Sequence, residues 1–342
     1  MPVRTAIILP DPQKVLMSQI FLSKTWQRAL DWLYALWKFS RPHTIIGTSL
    51  SVLGLYWIAV AAIPGDFFSG GLRINNLPGF SGQALLILIG AWIACLCGNV
   101  YIVGLNQLED VAIDRINKPD LPLASGEFSR TEGVTIVTAT GTLALLLALI
   151  QGPFLLATVG LSLGIGTVYS LPPIRLKRFP FWAALCIFGV RGVIVNLGLF
   201  LHFNQCLGGA RYIPPEVWAL TVFVVIFTFA IAIFKDIPDI DGDRQYNIST
   251  LTIKLGAPAV FNLARWVLTA CYLGMIVVTC FWLPAVQPLF LIAMQLLALI
   301  LLWFRSLRIN LKDKQAIANF YQFIWKLFFL QYLIFPTACL LG

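Results

Sequence analysis

The sequence predicts an all-α, polytopic membrane protein, and its composition, its hydropathy and its recurring long apolar runs all support this fold class. Of the 342 residues, 59% are hydrophobic and 11% are charged, and the mean hydropathy is +0.84. A soluble globule would have too little interior to bury so many apolar side chains. Runs of about 17 to 25 apolar residues, which are long enough to cross a hydrocarbon core, recur along the chain.

Nine runs meet this length. They lie near residues 43–63, 84–105, 131–150, 154–170, 180–203, 217–235, 259–282, 286–304 and 320–341. We therefore divide the chain into an N-terminal segment, 1–42, and one transmembrane domain, 43–342. The segment contains QKVLMSQIFLSKTWQRALDWLYALWKFSRP, whose aromatic, Leu and basic residues predict an amphipathic helix in the membrane interface.

Positive charge is distributed unevenly between the two sets of loops. Of the 24 Lys and Arg residues, Arg73 and Arg211 alone fall in loops after odd-numbered spans. Because translocation of Lys and Arg is disfavoured, the N-terminus and the loops after even-numbered spans are expected on the cytoplasmic side. Topology largely explains the net charge of +9, and no basic stripe on a soluble domain indicates nucleic-acid binding.

Acidic residues are concentrated in two short stretches, each following an even-numbered span. Of the 15 Asp and Glu residues, these stretches hold Glu109, Asp110, Asp114, Asp236, Asp239, Asp241 and Asp243. An offset of 129 residues maps Asp110 and Asp114 onto Asp239 and Asp243, and each pair ends in Asp-Arg. The shared register predicts an internal duplication. Because both stretches follow even-numbered spans, both are expected at the cytoplasmic side.

Each stretch is expected to present its carboxylates on one helix face, because residues three or four apart stack above one another. The expected ridges are Asn106, Asp110 and Asp114 on the first helix and Asp236, Asp239 and Asp243 on the second. Pro238 is expected to kink or restart the second helix.

Two acidic ridges that face each other require a counter-cation, because like charges one turn apart repel. Carboxylate and amide oxygens are hard ligands, and Mg²⁺ often completes its shell with phosphate oxygens. The ridges therefore predict a seat for Mg²⁺ and a diphosphate. The alternative is that these residues are solvated loop charges with an accidental spacing.

Basic side chains lie in the neighbouring loops. The loop YSLPPIRLKRFP supplies Arg175, Lys177 and Arg178, and the first acidic loop adds Arg115 and Lys118. Such donors bind diphosphate oxygens and stabilise a leaving group. The alternative for each is a plain positive-inside residue.

Arg191 lies roughly 16 Å into the fifth span, at 1.5 Å per residue, and Asn196 follows it on the same span. An intramembrane ionisable residue is by default a functional candidate, with structural pairing as the alternative. His43 and His202 lie toward opposite membrane faces and are interpreted as interfacial residues.

NQLEDVAIDRINKPDLPLASG and KDIPDIDGDR resemble the two acidic motifs of the UbiA superfamily of intramembrane aromatic prenyltransferases. The connecting stretches are most similar to the homogentisate branch of that superfamily, and they include FSRPHTIIGTSLS, YSLPPIRLKR, VRGVIVNLGLF and FYQFIWKLFFLQYL. The resemblance spans nearly the whole chain. It implies nine helices around a central cavity that opens to the lipid for a prenyl tail.

The resemblance also implies roles for individual residues. Mg²⁺ and diphosphate would be held by Asn106, Asp110, Asp114, Asp239 and Asp243, with Asp236 as a further ligand. Donors to the diphosphate would be Arg41, Arg115, Lys118, Tyr169, Arg175 and Lys177. The second motif carries four Asp residues where the family minimum is two, so the choice between Asp236 and Asp241 as metal ligand stays open.

The activity that the resemblance implies is Mg²⁺-dependent transfer of a phytyl group from its diphosphate to homogentisate. The acceptor would lose CO₂ and become 2-methyl-6-phytylbenzoquinol, a step of tocopherol synthesis in a bacterial plasma or thylakoid membrane. Arg191 would orient the acceptor carboxylate, with Asn196 beside it. The oligomeric state stays open.

Several other functions remain as alternatives at this point. Within the same fold they are solanesyl or geranylgeranyl transfer to homogentisate, chlorophyll synthesis and 4-hydroxybenzoate prenylation. From another class, a cation-coupled transporter would also carry repeated halves and intramembrane acids. It would place those acids near the bilayer midplane, whereas here they lie at the ends of spans.

Overall fold

The structure is a computed structural model that describes residues 12–63, 81–245, 250–311 and 313–342. Within these ranges, side chains are left undescribed at residues 12–25, 180 and 241–243. The described residues form helices joined by turns and contain no strand. This confirms the all-α prediction.

The helices follow one another along the chain without intervening sheet. They are α1 (Pro12–Phe39), α2 (Pro42–Ala61), α3 (Gly82–Asn117), α4 (Pro122–Ser125), α5 (Arg130–Gln151), α6 (Pro153–Ser170), α7 (Pro180–Phe188), α8 (Val195–Cys206), α9 (Pro215–Lys235), α10 (Ile240–Gln245), α11 (Leu251–Leu255), α12 (Ala257–Trp282), α13 (Pro288–Ser306) and α14 (Lys314–Leu341). Within the described ranges, nine segments are long and apolar enough to span a membrane: α2, α3, α5, α6, the joined α7 and α8, α9, α12, α13 and α14. The nine predicted spans are confirmed.

Large apolar side chains cover much of the outside of the bundle. Leu86, Ile150, Phe281 and Leu289 are all strongly exposed, whereas the core contains fully buried aromatic residues such as Phe328. A soluble protein does not leave so extensive an apolar surface uncovered. Lipid is the solvent that fits this surface, and the chain is an integral membrane protein.

α1 lies outside the nine spans and packs its C-terminal end against the bundle. Ala35 and Phe39 are buried in a small cluster with residues of α3 and α5, while Trp26, Leu30 and Tyr34 are exposed. An exposed aromatic and aliphatic face beside the end of a membrane bundle is typical of an interfacial helix.

The second acidic stretch is broken as Pro238 predicts, since proline lacks the amide hydrogen that a continuing helix needs. α9 ends at Lys235, residues 236–239 form turns, and α10 starts at Ile240. Asp236 and Asp239 both lie in the turn, so the expected ridge is interrupted where Pro238 was expected to kink or restart the helix.

The fifth span is interrupted by a π-helical turn, Gly189–Ile194, between α7 and α8. Gly192 in this turn lies directly against α9, where an added Cβ would be 2.4 Å from Cγ2 of Val225. π turns are frequent at functional sites. Here the turn carries Arg191, which lines the interior cavity.

Gly104→Val is expected to destabilise the fold, because Gly104 lies where α1, α3 and α5 meet. A Cβ at this position would be 2.7 Å from the ring of Phe39 and 2.7 Å from Cγ2 of Val137. Overpacking of this kind costs about 1 to 3 kcal/mol. The measurement is the midpoint of thermal denaturation in detergent, which we expect to fall by several degrees.

Gly164→Val is the matched control for Gly104→Val. Gly164 lies on α6, is exposed, and has no atom within 4 Å of an added Cβ. Its denaturation midpoint is expected to stay near that of the unmodified protein. Equal midpoints for the two variants would contradict the tight junction at Gly104.

Candidate active site

A cavity of about 290 Å³ lies inside the bundle, between α2, α3, α6, the π turn, α9 and α14. Its polar lining gathers near the end of the bundle where α3, α6 and α9 finish, and it includes Arg41, Asn106, Tyr169 and Lys235. Farther along the helices apolar side chains such as Val159, Val195 and Leu199 join the lining. One end of the cavity therefore suits a charged group and the other an apolar chain.

Asp110 lies beside the polar end of the cavity, next to the lining residue Asn106. Its backbone angles (φ −112°, ψ 16°) leave the helical region inside α3 and enter the sparsely populated bridge region, where many active-site residues lie. Its carboxylate accepts from Arg175 Nη2 at 2.9 Å, from Lys177 Nζ at 2.7 Å and from Asn106 Nδ2 at 3.1 Å. The regular ridge predicted for this stretch is thus bent at Asp110.

Asp239 brings the second acidic stretch to the same place. Lys118, just after α3, donates to Oδ2 of Asp239 at 2.7 Å, and the charges of Asp110 and Asp239 both act on Asp114. Asp114 is buried, and its Oδ2 has no hydrogen-bond partner. The prediction that the two acidic stretches lie close together is confirmed for these described residues.

Two arginines at the site have an unusual backbone. Arg41 (φ 53°) and Arg175 (φ 42°) are the non-glycine residues with positive φ in the described part of the chain. Each such residue costs of order 1 kcal/mol and persists where the surrounding structure holds it. Arg41 lines the cavity and its Nη2 lies 3.5 Å from Oδ1 of Asn106.

The loop after α9 adds two further charges. Lys235 lines the cavity, and its Nζ lies 4.0 Å from Oδ1 of Asp236. Burial raises the pKa of Asp236, and the charge of Lys235 opposes this shift. Burial lowers the pKa of Lys177, and Asp110 opposes that shift. Both shifts have the same main cause, since burial disfavours the charged form of either group.

The donor set fits a hard divalent cation. Asn106, Asp110, Asp114 and Asp239 offer amide and carboxylate oxygens, which Mg²⁺ prefers, and the unpartnered Oδ2 of Asp114 is a buried acceptor that a cation would satisfy. Among the described side chains, no three acidic, His or Cys groups converge as a ready metal site. Lysine and arginine ion pairs occupy Asp110 and Asp239 instead.

The other predicted ligands and donors have different outcomes. The side chains of Asp243 and Asp241 lie outside the described residues. Tyr169 lines the cavity, as predicted for a diphosphate donor. Arg115 is exposed at the end of α3 and forms no ion pair with a described residue, so the structure does not bring it to the site.

Arg191 lies in the cavity wall, against an aromatic surface. Its Cζ is 5.1 Å from the ring centroid of Trp325 and 5.7 Å from that of Phe328, distances at which a cation is attracted to a ring face. No described carboxylate forms an ion pair with it. Gly47 of α2 leaves room for the guanidinium, since an added Cβ would be 3.3 Å from Nη1.

Asn196 does not line the cavity, which removes its predicted role in acceptor binding. Its Nδ2 donates to the Gly192 carbonyl at 2.7 Å, and its Oδ1 accepts from the Tyr332 hydroxyl at 2.7 Å. The side chain is fully buried. These bonds use the amide to brace the π turn, so the role of Asn196 is structural.

Sequence reasoning missed most of the cavity lining, including His43, Lys235 and Trp325. Lys235 stands at the end of an apolar run next to an acidic motif, a signal that was present in the sequence. His43, interpreted from the sequence as interfacial, lies in the first turn of α2, and its ring packs on Trp325 in the cavity lining. That contact depends on the packing of α2 against α14 and has no local sequence signal.

The fold and the site together define a membrane-embedded enzyme that holds a polyanionic head group at one end of a helical bundle and an apolar chain within it, as an intramembrane prenyltransferase does. The chain belongs to the UbiA prenyltransferase family, whose model matches residues 77–327.

Two relatives illustrate this membership, and one solved structure shares the fold. The homogentisate phytyltransferase of Synechocystis is 53% identical over 308 residues, covering 89% of this chain and 95% of that protein. The homogentisate solanesyltransferase of Arabidopsis thaliana is 37% identical, covering 88% of this chain and 76% of that protein. The solved structure of a UbiA homolog from Archaeoglobus fulgidus bound to DMAPP and Mg²⁺ is 16% identical, has a TM-score of 0.56, and covers 88% of this chain and 99% of that chain.

Proposed function

We propose that this chain transfers a phytyl group from phytyl diphosphate to homogentisate, with Mg²⁺ as cofactor and with loss of the acceptor carboxylate as CO₂, giving 2-methyl-6-phytylbenzoquinol. The observation that carries the proposal is one cavity with an acidic and basic cluster beside its polar end and, in its wall, Arg191, which pairs with no described carboxylate. The relative that is 53% identical carries the same activity in its name.

The acidic residues hold the cofactor in this proposal. Asn106, Asp110, Asp114 and Asp239 would bind Mg²⁺, with Asp236 and Asp243 as further ligands from the second stretch. The bound cation supplies positive charge that neutralises the diphosphate and stabilises it as a leaving group. The UbiA homolog bound to DMAPP and Mg²⁺ supports a divalent cation in this fold.

The basic residues hold the diphosphate. In the structure, Arg175 and Lys177 donate to Asp110, and Lys118 donates to Asp239. On substrate binding, these three cations would donate to diphosphate oxygens, and Asp110 and Asp239 would become available to hold the cofactor. Arg41 and Tyr169, which line the same end of the cavity, complete the donor set.

Bond cleavage follows from this placement. The basic side chains stabilise the charge that develops on the diphosphate as the allylic carbon–oxygen bond breaks. Aromatic rings in the cavity wall, including Trp325 and Tyr321, stabilise the allylic cation through their faces. The electron-rich ring of the acceptor then attacks the cation, and Arg191 holds the acceptor carboxylate through charge-assisted hydrogen bonds.

The proposal also includes the orientation of the protein in its membrane. The excess of Lys and Arg in the even-numbered loops supports a cytoplasmic N-terminus and cytoplasmic active-site loops. The host would be a bacterial plasma or thylakoid membrane.

The test of function is a product assay on the purified protein in detergent. With Mg²⁺ and homogentisate, phytyl, geranylgeranyl and solanesyl diphosphates are supplied in parallel, and diphosphate, CO₂ and quinol are quantified. We expect diphosphate, CO₂ and quinol to form in equal molar amounts. We expect the highest kcat/KM with phytyl diphosphate. A higher kcat/KM with solanesyl diphosphate would favour the activity of the Arabidopsis relative.

Acceptor choice is tested in the same assay. Chlorophyllide or 4-hydroxybenzoate replaces homogentisate, with phytyl diphosphate as donor. We expect little product from either, because neither is a 2,5-dihydroxyphenylacetate whose side-chain carboxylate can reach Arg191 in the same pose. Turnover of either compound without turnover of homogentisate would overturn the proposal.

A further inference from the structure

His43 is a chemically active group of the cavity lining that the proposed roles leave unused. It lies in the first turn of α2, and its ring centroid is 4.8 Å from that of Trp325. Arg191 lies against the same indole, with its Cζ 5.1 Å from the ring centroid. The imidazole and the proposed carboxylate anchor therefore share one wall of the cavity.

The environment of His43 leaves its ring nitrogens available for a substrate. No described residue forms a hydrogen bond with them. The described charged groups whose fields reach the ring are Arg41, Arg191 and Lys118, all of them cations, so no described carboxylate holds the ring as an imidazolium. Burial and these cations disfavour the imidazolium, so the ring is neutral before the acceptor binds.

No other described side chain of the lining is a base at neutral pH. The remaining titratable groups there are arginine, lysine, tyrosine and cysteine side chains, which at their ordinary pKa values hold their protons at pH 7. The described carboxylates of the acidic stretches do not line the cavity. His43 is therefore the one proton acceptor of the described lining.

The proposed reaction needs such a group twice. When the allylic carbon–oxygen bond breaks, the electron pair of that bond leaves with diphosphate. When the new carbon–carbon bond has formed, the ring carbon must lose its proton to restore aromaticity. When the bond between the methylene and the carboxylate breaks, CO₂ leaves, and the electron pair left on the methylene carbon must gain a proton. One proton is released and one is consumed.

We infer that His43 is the catalytic residue that takes the ring proton of the acceptor and returns it to the methylene carbon as CO₂ leaves. This inference rests on the proposed function, because an acceptor without a carboxylate to lose would need the base only once. The balance of atoms and electrons requires no oxidant and no further co-reactant. Arg191 and His43, on the same wall, would contact the carboxylate arm and the adjacent ring edge.

The test compares His43→Gln with the unmodified protein. Glutamine keeps a polar side chain of similar reach but does not accept a proton at neutral pH. We expect kcat for quinol formation to fall by about 10²- to 10⁴-fold, the range of general acid–base catalysis, while KM for homogentisate stays within about threefold. Affinity for phytyl thiodiphosphate, which resists cleavage, is expected to be unchanged and so reports an intact site.

His202→Gln is the matched control, since His202 is the second histidine of the chain. It is buried outside the cavity lining, with Nε2 3.2 Å from Oε1 of Gln151. Its kcat is expected to stay within about threefold of the unmodified value.

Two results would overturn the inference. One is a His43→Gln variant that keeps kcat within tenfold of the unmodified protein. The other is a loss of kcat matched by an equal loss of thiodiphosphate affinity, which would assign His43 a structural role. Failure of the proposed function is a separate result, because the unmodified protein would then release no CO₂ from homogentisate.

Discussion

Asp110→Asn is expected to lower kcat/KM for prenyl transfer by about 10²- to 10⁴-fold. Asp110 accepts from Arg175, Lys177 and Asn106 at the polar end of the cavity. An amide in its place removes a ligand charge for the cation and leaves the two basic side chains without their buried counter-charge. A loss of about 3 to 5 kcal/mol of transition-state stabilisation corresponds to this range, because each 1.36 kcal/mol is about tenfold in rate.

The same loss is expected for Asp239→Asn, because Lys118 binds Asp239 as Arg175 and Lys177 bind Asp110. Steady-state kinetics at several Mg²⁺ concentrations measure both effects. A rise in the Mg²⁺ concentration needed for half-maximal rate would show that the lost interaction involves the cofactor.

Glu109→Gln controls for the change of charge. Glu109 is adjacent to Asp110, but its carboxylate lies 3.9 Å from the largely exposed Arg130, a pair of the kind that contributes little to stability. Its kcat/KM is expected to stay within about threefold of the unmodified value. Equal losses for Glu109→Gln and Asp110→Asn would contradict a specific role for Asp110.

Arg191→Ala is expected to raise KM for homogentisate by about 10- to 100-fold. Hydrogen bonds to charged groups contribute about 1.5 to 3 kcal/mol. Arg191 is the described cation that stacks on Trp325 in the cavity wall, so its removal leaves the carboxylate without this partner. KM for phytyl diphosphate is expected to change by less than threefold, because the diphosphate donors lie at the polar end. Initial rates over a grid of both substrates separate the two constants.

Arg265→Ala is the matched control for Arg191→Ala. Arg265 also lies in a membrane-spanning helix and stacks on a tryptophan, with its Cζ 4.5 Å from the ring centroid of Trp303, but it does not line the cavity. Both KM values are expected to stay near those of the unmodified protein. An unchanged KM for homogentisate in Arg191→Ala would remove Arg191 from the acceptor site.

The parts of the fold that the sequence predicts are those that depend on long-range periodicity and charge. Membrane spans follow from apolar runs that exceed the thickness of a hydrocarbon core, and all nine were predictable for this reason. The approach of Asp110 and Asp239 was predictable because a shared register and the parity of spans place both at one end of the bundle.

Local geometry that depends on tertiary contacts was not predictable. The bend at Asp110 coincides with its bonds to a loop about 65 residues away in sequence, and the role of Asn196 follows from a hydroxyl on α14. A polar residue near an intramembrane arginine is as compatible with bracing as with binding until its partners are known.

Electron paramagnetic resonance of bound Mn²⁺ provides the most direct test of the central claim. This claim is that the two acidic stretches together hold a cation and a diphosphate. Mn²⁺ replaces Mg²⁺, phytyl thiodiphosphate occupies the site, and electron–nuclear double resonance measures the coupling between Mn²⁺ and ³¹P. We expect a coupling that is present in the unmodified protein and lost in both Asp110→Asn and Asp239→Asn. A coupling that persists undiminished in either variant would show that the cation and the diphosphate meet without that stretch.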